Sequence, residues 1–190
     1  MGTITCLVKT KELYGSIAIC CGPEIISDNL VFIPEKVFGS VQALFNSSNV
    51  LRVKQHLLDD GVFENINDGD PYFNSRQYVF FIEDKIKVFT GDKVKSSYVF
   101  ENENIVLCGN RVGDENFMIS LFDSLCKNYS DDLESMLTKS FKENKFVGFD
   151  YVCKDRGVSS TTLCLRVYSK KGKLICGKDL YHSNKDILDL

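Results

Sequence analysis

The chain opens on the stretch Gly2-Thr3-Ile4-Thr5-Cys6-Leu7-Val8-Lys9, in which β-branched and apolar residues predict a strand. The polar segment Thr10-Lys11-Glu12 follows it, and a second β-prone run occupies Gly15–Cys21. Two such runs separated by a short polar segment are typical of a β-hairpin. We therefore expect the first strand to begin almost at the N-terminus, at Gly2-Thr3, and to pair with the second run.

The rest of the chain alternates groups of strands with helices. Short β-rich runs predict strands at 30–33, 77–82, 86–90, 105–108, 146–152, 161–168 and 174–176, and we also favour a strand at 40–46. Apolar residues recur at helical spacing in 50–58, in 114–127 and in a segment that begins after Ser130. Because helices bury their apolar sides against sheet faces, this order predicts two stacked sheets flanked by helices.

Length and composition indicate a single globular domain over residues 1–190. The 190 residues are 44% hydrophobic and 26% charged, and a chain of this size buries roughly two thirds of its unfolded surface. Residues 60–76 contain four acids and no sustained period, so we interpret them as an acidic surface loop. Their spacing lacks the alternating ligands of a calcium-binding loop. Residues 183–190 are expected to form a C-terminal tail.

The charge of the chain argues against nucleic acid as a partner, and the length of its apolar runs argues against a membrane. A net charge of −3 makes the average surface repel phosphate. The best candidate for a basic patch, Lys170-Lys171-Gly172-Lys173, stands where a hairpin turn is expected, so we interpret it as a solvated turn. No apolar run approaches the roughly 18 residues of a membrane helix.

The eight cysteines form no CxxC pair, and most lie inside apolar runs, so we predict buried thiols in a reducing cytoplasm. Zinc-ligand spacing is also absent, and we expect neither a metal nor a cofactor. A thiol nucleophile at Cys20-Cys21 would need a nearby base, and no local motif links that pair to His56 or His182.

Several motifs, in the same order along the chain, resemble the proteasome β-subunits and the bacterial HslV peptidases, which are N-terminal nucleophile hydrolases. Gly2-Thr3-Ile4-Thr5 is similar to the Gly followed by Thr-x-Thr at the processing site of that family. Glu35-Lys36-Val37-Phe38 stands about where the family has its catalytic lysine. Ala43–Asn49 resembles the strand and small-residue turn that precede a helix there.

Two later motifs extend the resemblance over most of the chain. Leu107-Cys108-Gly109-Asn110 is similar to the turn that leads into the family's paired helices. The segment from Asp155 to Ser160 is similar to the Asp and Ser that support the threonine, which implies supporting roles for Asp155 and Ser159. The resemblance implies an α/β fold of the αββα type, a four-layer sandwich of two mainly antiparallel sheets between helices. It also implies assembly into homo- or hetero-oligomers.

The chemistry of that family requires a free N-terminal threonine. A threonine hydroxyl is a weak nucleophile, and an α-amine with a pKa of about 7.7–8.0 can take its proton near neutral pH. The resemblance implies that Thr3 becomes this residue once Met1 and Gly2 are released, and that Lys36 stabilises negative charge beside it. It also implies an oxyanion site formed by backbone N–H groups around Ser47 and Ser48.

The leading hypothesis from sequence is therefore a proteasome-like, threonine-type peptidase subunit acting on peptide or protein substrates. An inactive structural or regulatory subunit with the same fold is the first alternative. A small α/β protein-binding module that resembles the family by chance is the second. Whether the chain is an enzyme depends, at this stage, on whether the bond between Gly2 and Thr3 is cleaved.

Overall fold

The computed structural model describes residues 2–22, 29–43, 47–59, 62–182 and 185–189. The strands in these ranges are β1 Thr3–Lys9, β2 Leu13–Cys20, β3 Leu30–Ile33, β4 Val37–Gln42, β5 Gln77–Ile82, β6 Lys85–Thr90, β7 Tyr98–Glu101, β8 Ile105–Asn110, β9 Thr162–Ser169 and β10 Leu174–Tyr181. The helices are α1 Ser47–Asp59, α2 Glu115–Lys127, α3 Leu133–Glu143 and α4 Tyr151–Arg156. Three short 3₁₀ turns complete the described elements.

The strands form two antiparallel sheets. Sheet A has six strands in the order β10-β9-β2-β1-β8-β7, and sheet B has four in the order β3-β4-β5-β6. The predicted opening hairpin is confirmed, because β1 pairs with β2 from Thr3 opposite Cys20 to Lys9 opposite Tyr14. On its other side β1 pairs with β8, from Thr3 opposite Asn110 to Val8 opposite Ile105. The first strand of the chain is therefore a central strand of sheet A.

Three apolar layers hold the sheets and helices together. One core lies between sheet A and helices α2 and α3, and it contains Ile4 from β1. A second core lies between the two sheets and contains Leu7 from β1. A third lies between sheet B and α1, which contributes Val50 and Val53. The predicted fold class, a four-layer sandwich of two stacked antiparallel sheets between helices, is confirmed.

Residues 146–152, which we predicted as a strand, contain the start of α4 instead. Gly148 has a left-handed backbone with φ of 81°, and the chain then enters the helix through Asp150, whose carboxylate accepts the N–H of Cys153. An Asp at this position satisfies an amide that the helix itself leaves unpaired. Because apolar residues alternate in this segment as they do in a strand, the sequence did not identify Asp150 as the cap of a helix.

The acidic segment that we expected to be a solvated loop is fixed by one buried carboxylate. Asp70 forms a salt bridge with Arg76 at 2.9 Å, and both side chains are almost completely buried. The hydroxyl of Tyr78 donates a hydrogen bond to the same carboxylate. Glu64 and Asp68 are exposed, as expected. The segment from residue 62 onward therefore packs against sheet B through Asp70 and through Ile66, which is buried in the core between sheet B and α1.

Two of the cysteines that we predicted as free thiols are joined. A disulfide links Cys21, directly after β2, to Cys153 in α4, across 132 residues of sequence. The other six cysteines form no disulfide. The disulfide ties α4 to the end of β2 that lies beside the start of β1.

We expect removal of this disulfide to destabilise the fold. Closing so long a loop restricts the unfolded chain and contributes about 2–4 kcal/mol, so the Cys21→Ala/Cys153→Ala variant should unfold about 10 °C below the wild type. Thermal unfolding followed by circular dichroism measures this. Cys176→Ala is the matched control, because its thiol is free. Equal melting temperatures for the double variant and the control would contradict the prediction.

Candidate functional site

Thr3 stands at the first position of β1, on the face of sheet A that looks toward sheet B. The alternation along β1 fixes this, because Ile4 enters the core under the helices while Leu7 enters the core between the sheets. Thr3 is half-buried, and its hydroxyl forms no hydrogen bond within the described part of the chain. The hydroxyl is therefore available at the edge of the inter-sheet core.

Asn110 lies directly opposite Thr3 on β8 and points to the same face. Its side chain is buried, and among the residues that the structure describes its Nδ2 has no hydrogen-bond partner. A buried amide donor without a partner costs free energy of about 1–3 kcal/mol, so such groups in folded proteins call for an explanation. Here the unpaired donor lies next to a free hydroxyl, where it can bind an oxygen of a ligand.

Cys20 lies opposite Thr3 on the other side, on β2. Burial raises the pKa of its thiol, although hydrogen bonds from the Gly22 N–H and the Thr162 hydroxyl oppose that effect. The thiol therefore stays protonated at neutral pH, which argues against a thiolate nucleophile here. The carbonyl of Cys20 accepts the hydroxyl of Ser160 at 2.8 Å, so the start of β9 fixes this end of β2.

A polar group from sheet B reaches the same end of β1. The Thr5 hydroxyl donates to Oε1 of Gln42, the last residue of β4, at 3.3 Å. The amide of Gln42 in turn contacts the thiol of Cys108 on β8. All three residues are buried. They fix the end of β4 over the start of β1, two residues below Thr3.

Gly2 occupies a tight buried position in front of Thr3. Its N–H donates to Oδ2 of Asp150 at 2.5 Å. A Cβ atom at this position would lie 2.8 Å from the carbonyl oxygen of Asn110, so only glycine fits. Asp150 also caps α4, which the disulfide ties to Cys21. The residue before Thr3 is therefore fixed by its surroundings.

The structure does not bring Lys36, the predicted electrostatic partner, to Thr3. Lys36 lies in the turn between β3 and β4, where its carbonyl accepts the N–H of Glu83. Gln42, at the other end of β4, is the residue that contacts β1 near Thr3. Six residues of extended chain correspond to about 20 Å, so Lys36 and Thr3 lie at opposite ends of the sandwich.

The other predicted site residues lie on or next to helices α1 and α4. Ser47 and Ser48 begin α1, a few residues after Gln42, so they lie at the same end of the sandwich; Asn46 is outside the described residues. Asp155 is exposed on α4. Ser159 is buried and donates both its N–H and its hydroxyl to Asp186, each at 2.6 Å.

One group of potential metal ligands lies near the start of the chain. Cys21, Asp150 and Cys153 place one ligand atom each within 4.8 Å of one another, and all three residues are buried. Both sulfur atoms belong to the disulfide, however. In this state the group links α4 to β2 and does not offer thiolate ligands.

Sequence reasoning missed Asn110 and Asp150 as residues that surround Thr3. Asn110 closes the motif that we compared with a turn, but only the pairing of β8 with β1 shows that it faces Thr3. Asp150 stood inside a predicted strand. The available signal was Asp150 itself, because Asp is a common residue directly before the first turn of a helix.

Comparison with known proteins identifies the fold and gives no family. No protein-family model matches the sequence, and no curated protein matches it. Among solved structures, the chain is similar to protein SPO2555 from Silicibacter pomeroyi, described as DUF1028, with a TM-score of 0.75 and 16% identity over 100% of this chain and 87% of that one. At this identity the likeness shows the fold alone.

The resemblance to proteasome β-subunits and HslV is wrong as a family assignment. A solved structure that shares the fold over the whole of this chain is described as a DUF1028 protein. Anbu, an ancestral beta-subunit from Yersinia bercovieri, reaches a TM-score of only 0.44 at 8% identity, over 97% of this chain and 88% of that one, which is too weak to support the assignment.

The described helices include none that is long and apolar enough to span a membrane.

We expect Asp186 to stabilise the fold above about pH 4. Burial raises the pKa of Asp186, but hydrogen bonds from Ser159, Leu188 and Lys145 outweigh that effect and hold the pKa below its ordinary value. A carboxyl group whose pKa is lowered by folding stabilises the native state above its unfolded pKa, and this contribution disappears as the pH falls through the folded pKa. Asp186→Asn should therefore lose about 1–3 kcal/mol at pH 7 and show a weaker loss of stability on acidification.

Urea unfolding between pH 3 and pH 7 measures this difference. Asp155→Asn is the matched control, because that carboxylate is exposed and forms no hydrogen bond or ion pair within the described residues. If Asp186→Asn lost stability on acidification as steeply as the wild type, the assigned role of Asp186 would be wrong.

Proposed function

We propose that this protein is an amide hydrolase that cleaves peptide bonds with Thr3 as an N-terminal nucleophile, after release of Met1 and Gly2. One observation carries the proposal. The half-buried Thr3 hydroxyl and the Asn110 side-chain amide, which both lack a hydrogen-bond partner among the described residues, lie on the same face of the sheet at paired positions of β1 and β8. Acyl transfer requires a nucleophile that attacks the carbonyl carbon and a hydrogen-bond donor that stabilises the oxyanion, and these two groups can fill those roles.

In this reaction the freed α-amine of Thr3 acts as the base. It takes the hydroxyl proton while Oγ1 forms a bond to the substrate carbonyl carbon, and the carbonyl oxygen becomes an oxyanion. Nδ2 of Asn110 donates a hydrogen bond to that oxyanion. The C–N bond then breaks, the leaving amine takes the proton from the α-ammonium, and water hydrolyses the resulting ester to restore Thr3.

The surroundings of Gly2 hold the bond that the proposed reaction must cleave in one position. Only glycine fits at position 2, between the Asn110 carbonyl and Asp150. The N–H of Gly2 donates a hydrogen bond to Asp150. This fixed position keeps the bond that must be cleaved next to the Thr3 hydroxyl of the same chain. Attack of the Thr3 hydroxyl on the carbonyl carbon of Gly2 is then intramolecular and benefits from a high effective concentration.

A second candidate function, an inactive subunit of the same fold, is favoured by two observations. The predicted lysine lies at the opposite end of the sandwich, and the buried position of Gly2 stabilises an uncut N-terminus. Peptide or protein substrates, homo- or hetero-oligomeric assembly and a cytoplasmic location stay predictions from sequence under both candidates.

Intact mass spectrometry separates the two candidates. We expect purified wild-type protein to have lost both Met1 and Gly2, because a free α-amine on Thr3 is required for the reaction. Thr3→Ala should keep Gly2 and hydrolyse no peptide, whereas Thr5→Ala, two residues further on the same face, should still be processed. A wild-type chain that keeps Gly2 would exclude the hydrolase.

We expect Asn110→Ala to lower kcat by about 10²-fold with little change in KM, because an oxyanion donor acts mainly in the transition state. Steady-state hydrolysis of a fluorogenic peptide measures both constants on processed protein. Asn102→Ala, in the turn before β8 and away from Thr3, is the control. A change in KM alone would show that Asn110 binds the ground state and not the oxyanion.

A further inference from the structure

A cavity of about 710 Å³ lies beside the start of the chain. Its walls come from Lys95 and Ser96, from the segment after β8, and from residues 146–154 around the start of α4. Asp150 lines the cavity and also holds the N–H of Gly2. The volume falls within the usual range of ligand sites. The cavity is therefore adjacent to the bond that the proposed reaction must release.

Three cations line this cavity, and none of them forms an ion pair within the described part of the chain: Lys95, Arg111 and Lys154. The two carboxylates in the lining are already occupied by backbone amides. Asp114 accepts the N–H of Asn116 at the start of α2, and Asp150 accepts the N–H groups of Gly2 and Cys153. The cavity therefore offers unpaired positive charge to a ligand.

The wall that carries these cations has a fixed backbone. Ser96 and Arg111 have left-handed conformations, with φ of 46° and 55°, which non-glycine residues rarely adopt. The N–H of Arg111 donates to the Lys95 carbonyl at 2.8 Å, and the N–H of Gly113 donates to the Phe149 carbonyl at 2.8 Å. Backbone strain of this kind is concentrated at functional sites.

The cavity also has an apolar side. Phe146 and Phe149 line it, and Phe146 stacks on Phe117 of α2 with ring centroids 5.0 Å apart. Tyr151 lies at its margin with 62% of its surface exposed. An exposed aromatic ring beside unpaired cations suits a ligand that has both an apolar part and a negative charge.

We infer that this cavity recognises an acidic side chain of a peptide substrate, with an apolar neighbour of that side chain packed against Tyr151. The inference rests on the proposed function, since it assigns the substrate class of the site at Thr3. Lys95 and Lys154 flank the acidic group, and Arg111 offers the planar guanidinium that pairs well with a carboxylate. The protein then selects acidic peptides despite its net negative charge.

Binding of a matched peptide pair tests the inference. Fluorescein-labelled peptides that differ only by Glu-Leu-Glu against Gln-Leu-Gln are titrated with wild-type protein and with Thr3→Ala, and fluorescence anisotropy is measured. We expect the Glu peptide to bind about tenfold or more tightly, with an affinity that falls as salt is added. Equal affinity for the two peptides would overturn the inference without any variant.

Charge reversal identifies the cavity as the site. Lys95→Glu/Lys154→Glu should weaken binding of the Glu peptide about tenfold and leave the Gln peptide unaffected. Lys171→Glu, an exposed lysine of the turn between β9 and β10, is the matched control. Both cavity lysines are exposed, so the fold should be retained, and thermal unfolding verifies this. If the cavity variant bound the Glu peptide like the control, the site would lie elsewhere.

The hydrolase and the acidic-peptide site can each fail without the other, and different results identify which one has failed. Selective binding of the Glu peptide by a chain that keeps Gly2 and cleaves nothing would exclude the hydrolase and support the cavity. Cleavage of both peptides at equal kcat/KM, unaffected by charge reversal, would support the hydrolase and exclude the cavity as its recognition site.

Discussion

The double pairing of β1 is the constraint on which the rest of this structure depends. Thr3 has hydrogen-bonded neighbours on both sides, Cys20 and Asn110, so its strand cannot shift without breaking two ladders. A slip of one residue would turn Thr3 and Thr5 toward the helices and move Ile4 into the inter-sheet layer. The apolar alternation of β1 therefore decides which side chain stands at the edge of the inter-sheet core.

The groups around Thr3 come from distant parts of the chain that this pairing assembles. Asp150 caps α4 and holds Gly2, and the disulfide from Cys153 ties the same helix to the end of β2. Gln42 brings sheet B to the same place. The start of the chain is thus fixed from three directions, which positions a hydroxyl, an unpaired amide and a charged cavity close together.

The sequence predicted the features that depend on local patterns and missed those that depend on tertiary pairing. The opening hairpin and the layer order followed from β-branched runs and helical periodicity. Lys36 was assigned by its distance along the chain, but the turn between β3 and β4 carries it to the far end of the sandwich. The partnership of Cys21 with Cys153 could not be deduced, because cysteine spacing does not determine disulfide connectivity. Asn110 became a candidate only through its pairing with Thr3 across more than 100 residues.

Covalent trapping of Thr3 tests the central claim most directly. A peptidyl epoxyketone reacts with the hydroxyl and the free α-amine of an N-terminal threonine together, and tandem mass spectrometry locates the adduct. We expect a chain that begins at Thr3 and carries the inhibitor on that residue, bonded through both the hydroxyl oxygen and the α-amine nitrogen. An unmodified chain that still begins at Met1 or Gly2, or an adduct on Cys20, would contradict it.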